Sequence, residues 1–402
     1  MKRQIAIAAL VWWTAMPELA EAGWRRHTID RSSRGADGVR LGDLNRDGRP
    51  DLVTGWEEGG VIRVYINPGA TTAKGLWPAV TVGEVPSPED AVFVDLDGNG
   101  RLDVVSSCEG NTRRVFVHWA PDEDDRLLTS AGWKTESIPA CDNRELWMYC
   151  EPMDVDGRHG IDLVIGSKGA NASVSWLESP ANPRDLREWK LHRIYDAGWI
   201  MSLIAHDLDD DGNLDVLLSN RRPPSAGVKW LKNPSHADRH PSTWEALEIG
   251  ATNDEVMFID IMPGHSPESM ALAAAVKADL LVQWSTGGNN TWRETGRHRF
   301  PISAGTAKAV RLADIDLDGQ SDLVATCEAA TDQRSGVWWF RRTDNGQPAA
   351  HDISGAEGVK FDRIELLDLD DDGDLDVITC EESANLGVVW YENPTRRSAK
   401  TE

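Results

Sequence analysis

Seven aspartates, Asp43, Asp95, Asp154, Asp207, Asp260, Asp314 and Asp368, recur at separations of 52, 59, 53, 53, 54 and 54 residues. In five copies the aspartate opens one nine-residue phrase, D-x-[DN]-x-[DN]-G-x-x-D, followed by two or three apolar residues. The clearest copies are Asp207-Leu-Asp-Asp-Asp-Gly-Asn-Leu-Asp215 and Asp368-Leu-Asp-Asp-Asp-Gly-Asp-Leu-Asp376. Such a long, regular period implies stacked units, each burying its apolar face only against its neighbours. Seven such units can close into a ring.

One unit resolves into four short strands. Ile200 to Ala205 is an apolar run that enters the acidic loop (strand A), and Asp215-Val-Leu-Leu-Ser leaves it (strand B). Gly227-Val-Lys-Trp-Leu alternates apolar and polar residues and stops at Asn233-Pro234 (strand C). Trp244 to Ile249 alternates again (strand D). Four antiparallel strands per unit make the blade of a β-propeller. The strand C pattern returns at Trp176, Trp339 and Trp390, and the Asn-Pro stop at Asn67-Pro68 and Asn393-Pro394. Tryptophans at fixed repeat positions are expected to pack between blades. The last unit ends without a strand D, yet Trp24 to Ile29 carries the pattern of Trp189 to Ile194. The N-terminal strand should therefore complete the seventh blade, leaving no unpaired edge. His27 and His192 share that repeat position, which predicts structural duty for both.

The nine-residue phrase gathers hard oxygens around one point. Carboxylates or amides stand at positions 1, 3, 5 and 9, and Gly at position 6 permits the sharp turn. That donor set suits Ca²⁺, which accepts six to eight oxygens in flexible geometry. The expected ligands are Asp43, Asn45, Asp47 and Asp51; Asp95, Asp97, Asn99 and Asp103; and Asp207, Asp209, Asp211 and Asp215. Asp314, Asp316, Asp318 and Asp322, with Asp368, Asp370, Asp372 and Asp376, complete five sites. Two units depart. The third keeps Asp154, Asp156 and Asp162 but carries Arg158 at position 5, a cation where the metal would sit. In the fifth, Asp260 is followed by Met262, Gly264 and Glu268, and no metal is expected.

Residues 1–22 show a basic start, a short apolar stretch and Ala20-Glu-Ala22, the pattern of a signal peptide cleaved after Ala22. The expectation is a secreted, periplasmic or cell-surface protein with no membrane span, residues 23–402 forming a single propeller. Lys and Arg total 42 against 66 Asp and Glu, a formal charge of −24, which argues against nucleic acid. Five Ca²⁺ ions would bring that to −14, still favouring a cationic or neutral partner. Cys141 and Cys150 lie in a long insertion, Pro139 to Glu151, where an oxidising compartment permits a disulfide.

The acidic loops resemble those of FG-GAP and VCBS repeats, the units of integrin α-like seven-bladed propellers. That resemblance extends over the mature chain. It implies that the Ca²⁺ loops join strands A and B on one face, and that ligands meet the opposite face, built from the D–A and B–C loops. On that layout the candidate ligand-binding residues are Trp56, Glu57, Glu109, Trp147, Lys168, Trp199, Arg221, Glu328 and Glu381. The literal Phe-Gly and Gly-Ala-Pro signatures are poorly kept, which places the chain nearer exported microbial VCBS-type proteins than integrins.

No G-x-S-x-G elbow, H-E-x-x-H pair or phosphate-binding glycine loop is present. The expected function is non-catalytic binding of a glycan or a protein partner. The alternative is a carbohydrate-active enzyme such as a polysaccharide lyase, drawing on Tyr149, Lys168, Arg221 and Arg222. A third reading is a structural or envelope-assembly module. A binder should expose aromatic rings at the mouth, Trp56, Trp147 and Trp199 first.

Overall fold

The computed structural model describes residues 23–234, 244–264, 269–287, 291–343 and 346–396. Residues 1–22, where a signal peptide is expected, and Glu268 lie outside the described residues. The described strands form seven four-stranded antiparallel sheets arranged as propeller blades. Six blades run in chain order, and the seventh pairs Phe361–Leu367, Asp376–Glu381 and Gly387–Glu392 with the N-terminal strand Arg25–Asp30. The fold class and the closing strand are those the repeat predicts. Among the described residues no helix is long and apolar enough to cross a membrane.

The closing strand is fixed by its register and by one side-chain pair. His27 lies opposite Trp390, stacks on its indole at 4.5 Å, and shares a 2.9 Å contact between Nε2 and Glu392 Oε2. The third blade repeats the device, with His192 on Trp176 at 4.8 Å and His192 Nε2 2.7 Å from Glu178 Oε2. Both histidines are structural, as their shared repeat position implies.

Blades are also pinned to one another through the Asn-Pro turns. Asn233 Nδ2 donates to Leu214 O in its own blade and to Val155 O in the third. Asn393 Nδ2 does the same with Leu375 O and with Ile315 O of the sixth blade. A carboxamide suits this place because its two N–H donors satisfy two buried carbonyls at once.

Every strand A carries a β-bulge against strand B, for example between Asp37 and Arg40 in the first blade and Phe361 and Ile364 in the seventh. A bulge re-aims the side chains beside it and increases local twist. Seven of them near the mouth end of the inner strands shape the upper channel. The long insertion of the third blade folds inward: Trp147, Cys141 and Cys150 pack in one apolar cluster. All five cysteines are buried free thiols, Cys141 and Cys150 included, so no disulfide pins this segment.

Deleting residues 23–30 removes the closing strand and exposes the edge of Gly387–Glu392. Calorimetry of that truncation should show a broadened, lowered transition, with aggregation through the open edge. An unchanged, cooperative melt would refute closure by this strand.

Candidate functional site

On one face, the acidic phrase folds as a compact loop between strands A and B. Asp207 accepts from Asp211 N at 3.1 Å and from Gly212 N at 2.9 Å, and the first aspartates of loops one, two, six and seven do likewise. The position-6 glycines need the left-handed region, with φ of +85° at Gly48 and +92° at Gly373. The ninth-position aspartate is turned inward. Asp215 is fully buried and accepts from Leu208 N at 3.2 Å and Asn233 N at 2.8 Å, tying the loop to the end of strand C. Asp51, Asp103, Asp162, Asp322 and Asp376 make the same bond to Asn67, Ala120, Ser179, Arg342 and Asn393.

Three carboxylates approach within 4.8 Å of one another in loops four (Asp207, Asp209, Asp215), six (Asp314, Asp316, Asp318) and seven (Asp368, Asp370, Asp376). These groups can hold a metal ion. In loops one and two, Asn45 and Asn99 are among the four donors. The third loop departs from expectation: Asp154, Asp156 and Asp162 converge equally, and among the described residues Arg158 forms no ion pair with them. Arg158, half-buried at position 5, is turned away from the carboxylates, which the residue type alone does not reveal. Basic side chains also meet the position-3 carboxylates, with Lys232 on Asp209, Arg341 on Asp316, Lys74 on Asp370 and Arg184 on Asp97.

The fifth blade corrects one marker of the repeat, not the count of seven. Asp260 is not the start of a loop but lies inside strand Val256–Pro263, opposite Ala273. The same register position holds Arg40, Val92, Glu151, Ile204, Arg311 and Glu365 in the other blades. Arg40 grips Asp90 at 2.8 and 3.2 Å and reaches Glu151 of the third blade at 3.3 Å. Arg311 joins Asp260 at 3.0 Å and Glu365 at 2.5 Å. Two arginines thus cross-brace the channel.

Opposite the acidic loops, the residue that ends or directly follows each strand B makes a second ring: Glu57, Glu109, Lys168, Arg221, Lys277, Glu328 and Glu382. The signs are sorted, with blades three to five basic and blades six, seven, one and two acidic. Contacts between Lys168 and Glu109, and between Lys277 and Glu328 at 2.8 Å, join the two arcs. Arg221 and Arg222 share Glu255 at 3.3 and 3.4 Å. Trp199, half-buried, lies under three cations, with Arg221 at 4.4 Å, Lys168 at 4.8 Å and Arg222 at 5.8 Å from its ring centroid.

Three expected ligand residues belong elsewhere. Trp56 and Trp147 are 0% exposed, their indole N–H groups donating to Tyr65 Oη and Cys141 O. Glu381, also buried, accepts five backbone N–H bonds, from Val359, Lys360, Ser383, Ala384 and Leu386. Cys380 stands one residue earlier in its strand than Cys108 and Cys327, and a one-residue slip moves a side chain to the other face. Glu382, not Glu381, joins the ring.

Beneath the ring lie groups that sequence reasoning missed, because bulges decide their aim. Carboxylate oxygens of Asp37, Glu57 and Glu89 come within 4.8 Å of one another. Burial, against the pull of Lys168, pushes Glu89 up to about 8. Burial and Asp362 raise Asp37 well above the carboxylate range, while Lys308 and Lys360 overcome burial to hold Asp362 below it. Lys308 Nζ is 3.1 Å from Asp362 Oδ2. The floor is Tyr149 edge-on to Phe258 at 5.5 Å, with Arg363 beside both rings.

An FG-GAP-like repeat model matches residues 43–106. The chain is thus a seven-bladed β-propeller that carries an FG-GAP-like repeat in its first two blades, a match that supports an FG-GAP repeat propeller. No curated protein matches it in sequence. Among the many solved structures that share the fold are two crystals of BBS1N in complex with ARL6DN, one soaked with lead and one with mercury. Each aligns at TM-score 0.54 and 10% identity over 92% of this chain, covering 97% and 96% of the other.

The buried ninth-position aspartates generate a pH prediction. Burial pushes Asp51, Asp215 and Asp322 up to about 6, Asp103 and Asp162 to about 7, and Asp376 to about 8. An unfolded Asp titrates near ~3.9, so above that pH the unfolded chain releases protons the folded chain retains. Without metal, stability should therefore fall from roughly pH 4 until each folded value is passed, then level off near pH 8. Calorimetry in chelator from pH 5 to pH 8 checks this, and a melting temperature that rises across the range contradicts it.

Proposed function

We propose that this chain is an exported binding module, stiffened by Ca²⁺ in its acidic loops, that takes its partner at the charged mouth. The observation that carries the reading is the second ring. Every blade delivers one charged side chain to the same level of the mouth, sorted by sign into two arcs. Structural duty alone requires no such sorting. Charge complementarity of this kind favours specific orientation and fast association more than raw affinity.

The mouth offers charge rather than open aromatic surface, since Trp56 and Trp147 are buried and Trp199 is capped by cations. A glycan or protein bearing polar and charged groups fits it better than an apolar ligand. The lyase alternative is weaker on the same geometry. Burial raises the Tyr149 hydroxyl well above the phenol range, and Lys168, Arg221 and Arg222 are paired with carboxylates.

Calcium suits the loops by donor chemistry: clustered carboxylates, a left-handed glycine and strands that hold the ends. The ligands would be the five expected sets, with Asp154, Asp156 and Asp162 as a sixth, weaker group lacking a position-5 oxygen. Neutralising several carboxylates per loop stabilises only the folded chain, by about 2.7 kcal/mol per site at a hundredfold excess over Kd. Chelation should lower the melting temperature by several degrees, and restored Ca²⁺ should recover it. A melting temperature indifferent to EDTA contradicts the metal reading.

The mouth is tested by a glycan array of the Ca²⁺-loaded protein, repeated with the double variant Lys168→Ala/Arg221→Ala. Selective retention, lost in the variant and without cleavage of the bound glycan, is the expected result. Depolymerisation of a retained polysaccharide would overturn the non-catalytic reading.

A further inference from the structure

The upper channel contains a cation the structure does not pair. Of the basic groups there, Arg40 is held by Asp90 and Glu151, Arg311 by Asp260 and Glu365, Lys308 by Asp362, and Lys360 by Glu382. Arg363 has no ion pair among the described residues, and its buried Nη1 has no hydrogen-bond partner. Its side chain runs past Gly38, whose absent Cβ would stand 3.9 Å from Arg363 Cδ and 3.7 Å from Asp90 Oδ1. The guanidinium ends 5.5 Å from the Phe258 ring centroid and 6.0 Å from that of Tyr149. The arginine thus reaches from the seventh blade to rings on the third and fifth, at the floor of the mouth.

Arg363 Nη1 is a buried donor with no acceptor among the described residues, so it is available to an acceptor that comes from outside. Asp90, Glu365 and Glu151 act on Arg363 only through space, since each is already bonded to Arg40 or Arg311. Arg363 stands two residues nearer the mouth than Glu365, so an acceptor arrives from above. A planar guanidinium with a fork of donors matches a carboxylate in two-point contact, and the flanking aromatic rings suit a flat group. Asp362 in the wall, held in its charged form by Lys308 and Lys360, opposes a doubly charged phosphate monoester more than a single carboxylate.

We propose that Arg363 is the recognition point for a carboxylate carried by the ligand of the mouth, so that the glycan class bound contains a uronic acid. This rests on the mouth being the binding face. The sorted ring would orient the ligand, and the floor would read its acid group.

The test is calorimetric titration of the Ca²⁺-loaded chain with sodium D-glucuronate and with D-glucose, at matched ionic strength. The expected result is about tenfold or greater preference for glucuronate, the scale of a charge-assisted hydrogen-bond pair. Arg363→Met should abolish the preference, and Arg363→Lys, which keeps the charge but loses the fork, should reduce it. Because Arg363→Met removes an unpaired buried charge, its melting temperature should equal or exceed the wild type's. A preference that survives Arg363→Met, or a lowered melting temperature in that variant, overturns the proposal. Equal binding of both sugars refutes the carboxylate point while leaving the mouth as a glycan site. Binding of neither refutes the carboxylate point and removes support for a glycan at the mouth.

Discussion

A carboxylate with essentially no exposed surface recurs in six of the seven blades, accepting N–H groups from the strand C end and, in most, from its own loop. This interaction organises the rest. It fixes where strand B begins, and so which residues reach the mouth six positions later. It also draws the loop's other acidic groups close together. Removing such a carboxylate, as in Asp215→Ala, would orphan two backbone donors, at about 1–3 kcal/mol each. The same burial makes ionisation unfavourable, and a bound cation relieves precisely that conflict on the reading proposed above.

The propeller separates two kinds of electrostatics along one axis. At the loop face, like charges are crowded within each blade, and the remedy is a small cation or the lysines and arginines of neighbouring segments. At the mouth, each blade contributes a single charge, and opposite signs meet across blade boundaries. Between the two faces, Arg40 braces adjacent and non-adjacent blades and Arg311 braces its two neighbours. Broken bracing would leave buried, uncompensated charges, which is far more costly than losing a surface pair.

Most of the fold was legible because the repeat is strict. Spacing gave seven units, alternation gave four strands, and the match of Trp24–Ile29 to Trp189–Ile194 gave the closing strand. Histidine roles followed from shared position, as His27 and His192 show. The acidic loops were legible for the same reason, apart from the third, where side-chain direction rather than residue type decides whether Arg158 interferes. Asp260 was misplaced because the fifth blade keeps the aspartate but not the phrase, so spacing alone chose the wrong neighbour. At the mouth, counting from the ninth-position aspartate would have found Glu382 in place of Glu381. No count finds Asp37, Glu89, Asp362 or Arg363, because bulges break the two-residue alternation that lets sequence predict which way a side chain points. Trp56 and Trp147 show the complementary error: a residue at a loop boundary was taken as exposed, yet both indoles found buried acceptors.

The account depends on the acidic loops being metal sites that stiffen the ring. The most direct measurement is the number of Ca²⁺ ions bound per folded chain, by equilibrium dialysis with elemental analysis of chelator-treated protein. The prediction is five ions from the five complete loops, with a sixth, weaker ion on Asp154, Asp156 and Asp162. A stoichiometry of zero or one would contradict it, leaving the repeated aspartates as hydrogen-bonded turns and nothing more.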